Sequence, residues 1–227
     1  SNEDIVAIED LCAIYTAAGV DYIDVAAEES IVNAAKKGIE WAQKICNNSP
    51  GLMISISDGN DIHFRKAKFD PLRCPSNCSR PCEKVCPTFA IDISGIKESK
   101  CYGCGRCINS CPLNLISEYE YNLSKYDLAT TLQKTKPNAV EIHTSINRLD
   151  SFAKVVSILK SSETKLDKIS ISCGLNQSLK KLQEPEDLLK ALWERYDILE
   201  ELNIPLIWQL DGRPMSGDLA PTTSRDT

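Results

Sequence analysis

Cysteine is the residue type whose spacing in this sequence points most directly to chemistry. The 227-residue chain contains 11 cysteines, and eight of them lie between Cys74 and Cys111. Thiolates bind zinc and iron–sulfur clusters, and paired thiols form disulfides. An odd total argues against a complete disulfide framework, and a chain of this length does not need disulfides to stabilise its core.

The second run of four cysteines has the spacing of a bacterial ferredoxin. It reads CYGCGRCINSCP over residues 101–112, which is C-x2-C-x2-C-x3-C-P. Thiolates this close together wrap a short loop around one cubane cluster. Gly103 and Gly105 permit the tight turns that such a loop requires, because glycine reaches left-handed backbone conformations at little cost. Pro112 then directs the chain away from the loop.

The first run, CPSNCSRPCEKVCP over residues 74–87, has wider spacing but the same C-x3-C-P ending. Two such runs predict two [4Fe–4S] clusters, in which the fourth cysteine of each run binds the other cluster. The ligands predicted for cluster 1 are Cys101, Cys104, Cys107 and Cys86. The ligands predicted for cluster 2 are Cys74, Cys78, Cys82 and Cys111.

Two structural zinc sites are the other interpretation of these eight cysteines. Such sites usually present two C-x2-C pairs separated by a longer loop, which fits both runs less well. Of the remaining cysteines, Cys12 and Cys46 lie in helix-like segments beside apolar residues, where burial as a small hydrophobic side chain is expected. Cys173 ends a predicted strand and is interpreted either as a buried residue or as a redox-active thiol.

The elements that must position these residues alternate between helix and strand. Strands are predicted to start at residues 20, 52, 139, 168 and 204, and amphipathic helices lie between them. Without residues 63–118, the chain has one strand–helix pair per roughly 30 residues, as parallel α/β folds do. The predicted domains are therefore a host in two parts, 1–62 and 119–218, an inserted two-cluster module at 63–118, and a polar tail at 219–227.

The host is predicted to be a partial (β/α) barrel rather than a doubly wound sheet. No G-x-G-x-x-G follows a predicted strand, which weakens a dinucleotide-binding sheet. Polar residues gather at the carboxyl ends of the strands, where barrels place their chemistry. Only five strands are predicted, and the chain begins on a helix and ends soon after a strand. We therefore expect the host to lack strands of a complete barrel.

Two further groups of residues are candidates for chemistry at that rim. The loop after the last strand contains Gly212, Arg213, Ser216, Gly217 and Asp218, which could cradle a phosphate or flavin. An ordinary surface loop is the other interpretation. Glu141 and His143 share one face of a predicted strand, as an acid–base pair or as a hydrogen-bonded polar pair.

Charge and hydropathy narrow the classes of partner. The net charge is −6, so a broad nucleic-acid surface is not expected, and no apolar run approaches the roughly 18 residues of a membrane helix. A basic stretch around the first cysteine run could offset cluster charge, dock an acidic electron donor or form a solvated face. It consists of His63, Arg65, Lys66, Lys68, Arg73, Arg80 and Lys84.

Taken together, the two cysteine runs, FRKAKFDPLRC before them and WQLDGRPMSGD near the end resemble the light-dependent period family of cyanobacteria and plastids. The resemblance covers nearly the whole chain, including GVDYIDVAAEESIVNAA. It implies an iron–sulfur protein that passes light-dependent redox state to the circadian clock. It also implies residence in cyanobacterial cytoplasm or plastid stroma, with ferredoxin- or quinone-linked redox proteins and clock or photosynthetic proteins as partners.

Two other functional hypotheses remain open at this point, and whether the chain is an enzyme is undecided. One is a flavin-linked iron–sulfur oxidoreductase, in which the clusters feed a site at the rim. The other is an electron-transfer subunit of a larger redox complex.

Overall fold

The computed structural model describes residues 5–59, 64–121, 125–174 and 185–209. Helices and strands alternate along most of this length, as the sequence predicts. The helices are α1 (Ile5–Ala18), α2 (Glu29–Ala42), α3 (Pro81–Lys84), α4 (Arg106–Ser110), α5 (Lys125–Thr135), α6 (Leu149–Ser161) and α7 (Pro185–Glu200). The strands are β1 (Tyr22–Ala26), β2 (Gly51–Ser57), β3 (Arg65–Lys68), β4 (Ile91–Asp92), β5 (Gly95–Ile96), β6 (Ser117–Glu120), β7 (Ala139–Ser145), β8 (Lys168–Gly174) and β9 (Leu206–Gln209).

The largest sheet has five strands in the order β1-β2-β7-β8-β9, and β7, β8 and β9 pair in parallel. The fold is therefore mixed α/β with a central parallel sheet. The described strands form this five-stranded sheet and two two-stranded antiparallel sheets, β3-β6 and β4-β5. A closed barrel is therefore not shown by the described strands. No helix in the described ranges is both long and apolar enough to cross a membrane.

Contacts divide the chain into two compact units. The first unit comprises Ser1–Ile54 and Asn60–Ser124, and the second comprises Ser55–Gly59 and Lys125–Thr227. One boundary between the units falls inside β2, between residues 54 and 55.

The second unit is built on the two faces of β7 and β8, since successive side chains of a strand point to opposite faces. One face carries Val140, Ile142, Ile169 and Ile171, all fully buried. The other face is polar and pairs Glu141 with Ser170 and His143 with Ser172 across the parallel register. A parallel sheet with one polar face differs from the apolar runs that two-sided burial normally produces.

In the first unit, α1 and α2 pack closely enough to require a glycine at the crossing. A Cβ added at Gly38 would lie 2.1 Å from the backbone oxygen of Glu9 and 3.0 Å from the Cβ of Cys12. Helix α2 ends at Ala42, so Cys46, which the sequence places in a helix-like segment, lies beyond the helix and is half-buried. The prediction that Cys46 is a buried helical residue is therefore wrong, whereas Cys12 is buried as predicted.

Candidate metal centre

The two cysteine runs fold into local structures that repeat each other despite their different spacing. The short helices α3 and α4 each follow a residue in the left-handed region, Arg80 with φ 50° and Gly105 with φ 73°. Beyond each helix comes a Cys-Pro turn containing a second left-handed residue. These residues are Phe89 with φ 52° and Asn114 with φ 50°.

Each Cys-Pro turn also directs a backbone N–H at the sulfur of its own cysteine. Ala90 N donates to Cys86 Sγ at 3.2 Å, and Leu115 N donates to Cys111 Sγ at 3.4 Å. Such bonds stabilise a thiolate and tune the reduction potential of an iron–sulfur cluster. The repeated geometry arises because both runs share the C-x3-C-P ending, which sets the turn.

One small enclosed cavity lies between the two runs. It is lined by four cysteines, three from the second run and one from the first: Cys101, Cys104, Cys107 and Cys86. The remaining lining is mostly apolar and includes Ala67, Ile91 and Ile96. These four cysteines are the set that the sequence predicts for cluster 1.

The electrostatic environment of Cys107 agrees with this grouping. Burial and, after it, the neighbouring thiols of Cys101, Cys104 and Cys86 together raise the pKa of the Cys107 thiol to about 12. A thiol in this environment loses its proton readily only when a positively charged metal compensates the thiolate. The cavity therefore favours metal binding over a set of free thiolates.

Among the other four cysteines, neighbouring thiols raise the pKa values of Cys82 and Cys74. Burial raises the pKa of Cys82, and the nearby thiols of Cys111 and Cys78 also raise it. Burial, then Cys78 and, more weakly, Cys111 raise the pKa of Cys74. Burial would raise the pKa of Cys111 too, but the backbone N–H groups of residues 113–116 lower it below the ordinary value.

Both groups pack against one small apolar core. Ala67, Ile91, Cys107 and Ile116 are buried at its centre, and partly buried residues surround them. These include Phe69, Ile96, Ile108, Cys82, Cys86, Cys101 and Cys111. Core packing therefore brings the cysteines of the two runs together, and apolar surroundings limit the access of water to their sulfurs.

The loop between Cys101 and Cys107 passes very close to strand β3. Gly103 has φ 79°, and a Cβ added there would lie 2.1 Å from the backbone oxygen of Arg65. Gly105 also has a positive φ of 73°, but no heavy atom lies within 4 Å of its added Cβ. Both glycines occupy the left-handed turns that the sequence predicts, and Gly103 additionally permits the close approach of two backbones.

The residues present fit an iron–sulfur group. The donors are all thiols, their surroundings are apolar, and backbone N–H groups point at the sulfurs. None of the eleven cysteines forms a disulfide. No three Cys, His, Asp or Glu side chains within the described ranges are arranged to hold a single metal ion.

A buried ion pair that the sequence does not reveal joins Glu28, just before α2, to Lys66 on β3. Lys66 is only 2% exposed, and its ammonium group donates to Glu28 Oε2 at 3.0 Å and to the backbone oxygen of Glu98 at 2.7 Å. The same ammonium lies 4.1 Å from the centroid of the Tyr121 ring. Burial raises the pKa of Glu28 to about 7, although Lys66 opposes that shift.

The rest of the predicted basic stretch is largely paired. Arg65 contacts Glu118 at 3.1 Å, Arg80 lies 4.0 Å from Glu83, and the Lys68 ammonium lies 5.3 Å from the centroid of the Tyr119 ring. Among the described residues of the stretch, Lys66 is buried, and Arg65, Arg80 and Lys68 have these local partners, so these four do not form a solvated basic face.

In the second unit, Glu141 and His143 form the hydrogen-bonded pair that the sequence allows. His143 Nε2 lies 2.9 Å from Glu141 Oε2, and Ser55 donates to the same carboxylate oxygen at 2.6 Å. Glu141 is buried, and the His143 side chain is 26% exposed. Cys173 is buried on the opposite face of the neighbouring strand, so the interpretation of it as a buried residue is confirmed.

A second buried polar network joins α7 to the end of β7. Arg195 is fully buried, and its guanidinium donates to Thr144 Oγ1, the backbone oxygen of Ser145 and that of Ala191. Thr144 in turn donates to Asp58, whose other carboxylate oxygen lies 3.2 Å from Arg148 Nε. The sequence signal for this network is an arginine on the apolar stripe of α7, between buried Ala191 and Leu199.

The predicted phosphate or flavin loop, with Gly212, Arg213, Ser216, Gly217 and Asp218, lies outside the described residues, as do His63 and the predicted tail.

Two models of one protein family match the chain. The light dependent period A iron–sulfur cluster-binding domain matches residues 74–122, and the light dependent period A C-terminal domain matches residues 131–227. Light dependent period A of Synechococcus elongatus is 39% identical over 218 residues, which is 96% of this chain. The chain belongs to the light dependent period A family. It spans 59% of the length of the Synechococcus relative.

More distant relatives share shorter regions. The iron–sulfur subunit ArrB of the arsenate respiratory reductase of Shewanella sp. is 31% identical over 90 residues, or 37% of this chain and 34% of ArrB. A candidate oxidoreductase of Escherichia coli K12, UacF, is 27% identical over 110 residues, or 45% of this chain and 17% of UacF. No solved structure matches the chain. Membership of the light dependent period A family brings with it an iron–sulfur cluster-binding domain.

Proposed function

We propose that this protein binds two [4Fe–4S] clusters with crossed ligands. Cluster 1 is held by Cys101, Cys104, Cys107 and Cys86. Cluster 2 is held by Cys74, Cys78, Cys82 and Cys111. The single observation that carries the proposal is the enclosed cavity lined by three cysteines of the second run and one of the first. The effects of the Cys78 and Cys111 thiols on the pKa values of Cys74 and Cys82 support the second set.

A bound cubane of this type supplies reversible one-electron reduction at a potential that its surroundings adjust. The chain contributes the thiolates, the apolar cover of Ile91 and Ile116, and the N–H donors of Ala90 and Leu115. N–H donation to sulfur stabilises the more negative, reduced state, whereas apolar burial opposes it. The balance between the two effects sets the potential of each cluster.

The function that this arrangement supports best is redox sensing and electron relay. In this account the protein takes electrons from the ferredoxin- or quinone-linked pool and passes light-dependent redox state to clock proteins. The name of the Synechococcus relative and its identity over nearly the whole chain support this role. The account places the protein in the cytoplasm of a cyanobacterium or in the plastid stroma, with clock or photosynthetic-complex proteins as partners.

The names of two relatives favour a second function, electron transfer within a larger redox complex or in an oxidoreductase. ArrB is named as an iron–sulfur subunit, and UacF carries an oxidoreductase name. A flavin or phosphate retained by the purified protein, and lost on substitution of Arg213, would favour this oxidoreductase function over the sensor.

The architecture proposed with this function is a partial (β/α)-barrel-like host, at 1–62 and 119–218, with a ferredoxin-like module inserted at 63–118. The consecutive order of neighbouring strands in the large sheet supports a barrel-like host, because adjacent strands follow one another along the chain in a barrel. The two antiparallel pairs, β3-β6 and β4-β5, together with α3 and α4 support a ferredoxin-like module.

Single-cysteine variants test the crossed ligands. Cys86→Ala, Cys101→Ala and Cys82→Ala are purified anaerobically, reduced and examined by electron paramagnetic resonance, with Cys46→Ala as the control. Each of the three is expected to retain one cluster, or about four irons, while Cys46→Ala retains both clusters. The residual spectrum of Cys86→Ala should match that of Cys101→Ala. A residual spectrum that instead matches Cys82→Ala would show that each run binds its own cluster.

Redox sensing is tested by hydrogen exchange in the intact holoprotein. Reversible reduction is expected to change exchange in residues 64–121, because reduction adds negative charge beside the N–H donors there. Identical exchange in both oxidation states would contradict sensing.

A further inference from the structure

A groove of about 600 Å³ opens to solvent beside the turn that contains Cys86. Its lining combines apolar side chains with two cations: Val85, Pro87 and Phe89 with Lys84 and Arg106. Cys86 also lines the groove. The groove therefore gives direct access to a cysteine to which the proposed function assigns a cluster.

Phe89 is an exposed aromatic residue at a backbone position that does not require an aromatic side chain. It is 79% exposed and occupies the left-handed region, which is costly for a bulky side chain. The equivalent position of the other turn is Asn114, a residue type that adopts this conformation readily. The turn thus accommodates asparagine, and the aromatic side chain at Phe89 is not needed to form it. Strain combined with exposure of an aromatic ring is typical of a binding surface.

The charged residues that line the groove, among those that the structure describes, are both cations, Lys84 and Arg106. Each proposed cluster would add negative charge through its four thiolates, so the positive charge that an acidic partner could meet is local to these two side chains. A partner with a negatively charged face would therefore be complementary to the groove itself.

We propose that the groove is the docking surface for an acidic protein electron carrier, with Phe89 at its centre and Lys84 and Arg106 facing carboxylates of the carrier. This inference rests on the proposed function, because it assumes a cluster bound through Cys86. One electron passes between the carrier and the cluster: the donor is oxidised by one electron, the acceptor is reduced by one, and no covalent bond changes. Tunnelling is favoured because Cys86, to which the proposed function assigns cluster 1, lines the groove.

A plant-type [2Fe–2S] ferredoxin, which is strongly acidic, serves as the probe. Electron exchange with the anaerobic holoprotein is followed by stopped-flow absorbance, and binding of the oxidised probe by calorimetry. Phe89→Asn and Lys84→Glu are each expected to lower the exchange rate and the affinity about tenfold or more at low salt. The wild-type rate should fall as salt is added.

Matched controls separate docking from damage to the cluster. Leu113→Asn removes an exposed apolar side chain at the other Cys-Pro turn, and Lys154→Glu reverses an exposed charge on α6. Both should behave as wild type toward the ferredoxin. Reduction by dithionite, which needs no docking surface, should be unchanged in all four variants.

Several outcomes would overturn the inference. The first is that wild type, Phe89→Asn and Lys84→Glu show equal exchange rates with ferredoxin and equal affinities for it. The second is that no electron exchange with ferredoxin occurs in either direction. The third is that exchange is faster with basic cytochrome c than with ferredoxin. A wild-type dimer that Phe89→Asn dissociates would show instead that the groove binds a second copy. Protein that lacks cluster absorbance altogether would refute the proposed function, a result distinct from the others.

Discussion

At the scale of single residues, the two glycines of the second cysteine run have different structural roles. Both lie in the left-handed region, but only Gly103 lies against another backbone, the carbonyl of Arg65. The sequence predicts the turns at both positions, since glycine between cysteines is a signal for them. It does not predict the close approach to Arg65, which depends on how β3 packs against the loop.

The pair Gly103→Ala and Gly105→Ala tests this difference. Gly105→Ala should cost about 1–2 kcal/mol of stability, the penalty for a side chain in the left-handed region, and should retain its iron. Gly103→Ala should cost more and lose iron from cluster 1, because the backbone of the loop or of β3 must move. Iron content and denaturant midpoints measured side by side give the comparison, and equal losses in the two variants would contradict it.

At the scale of elements, the ion pair of Glu28 with Lys66 joins the start of α2 to β3. The pKa of Glu28 is raised from 4.5 to about 7, chiefly by burial, so the folded state holds this proton more tightly than the unfolded state. Its contribution to stability is therefore present below about pH 4.5 and is lost as pH rises through 7. Lys66 and, from the segment before Cys101, Glu98 are the charged groups that act on Glu28.

Glu28→Gln removes this titration while leaving an oxygen that can accept from Lys66. Between pH 5 and pH 8, wild type should lose about 2 kcal/mol of unfolding free energy relative to the variant. Urea unfolding at several pH values, with Glu29→Gln on the same helix as control, measures the difference. A constant difference between wild type and Glu28→Gln across this range would show that Glu28 does not titrate there.

Arg195 joins α7 to β7 through hydrogen bonds to Thr144 and Ser145, residues about 50 positions away in the sequence. Arg195→Met should destabilise the protein by about 3–5 kcal/mol, because buried Asp58 loses a compensating charge and two backbone oxygens lose a donor. The exposed Lys190→Met on the same helix should change stability by less than about 1 kcal/mol. Adding Asp58→Asn to Arg195→Met should recover part of the loss. Strictly additive effects of the two changes would contradict the coupling.

At the scale of the whole molecule, local sequence patterns predict the helices and strands, whereas packing determines which charged side chains are buried. Strands such as Ala139–Ser145 are recognisable from their Ile and Val content, and the turns at Gly103 and Gly105 from residue type. The burial of Lys66 and of Arg195 is not predictable locally. Each side chain is held by contacts with residues far apart in sequence, and a charged side chain normally predicts exposure.

The grouping of the cysteines is likewise predictable in part from local sequence and in part only from the structure. The second run predicts a cluster by its spacing alone. The first run, with its x3 spacings, is ambiguous until its Cys-Pro turn is seen to repeat the geometry of the other, with Ala90 and Leu115 in equivalent roles. Family membership agrees with the cluster-binding prediction for residues 74–122.

The measurement that tests the central claim most directly is the metal and sulfide content of the full chain, purified anaerobically. The account predicts about eight irons and about eight acid-labile sulfides per chain, with a reversible visible absorbance. About two zinc ions per chain without iron or sulfide would contradict it, since each group of four thiols would then hold a single ion.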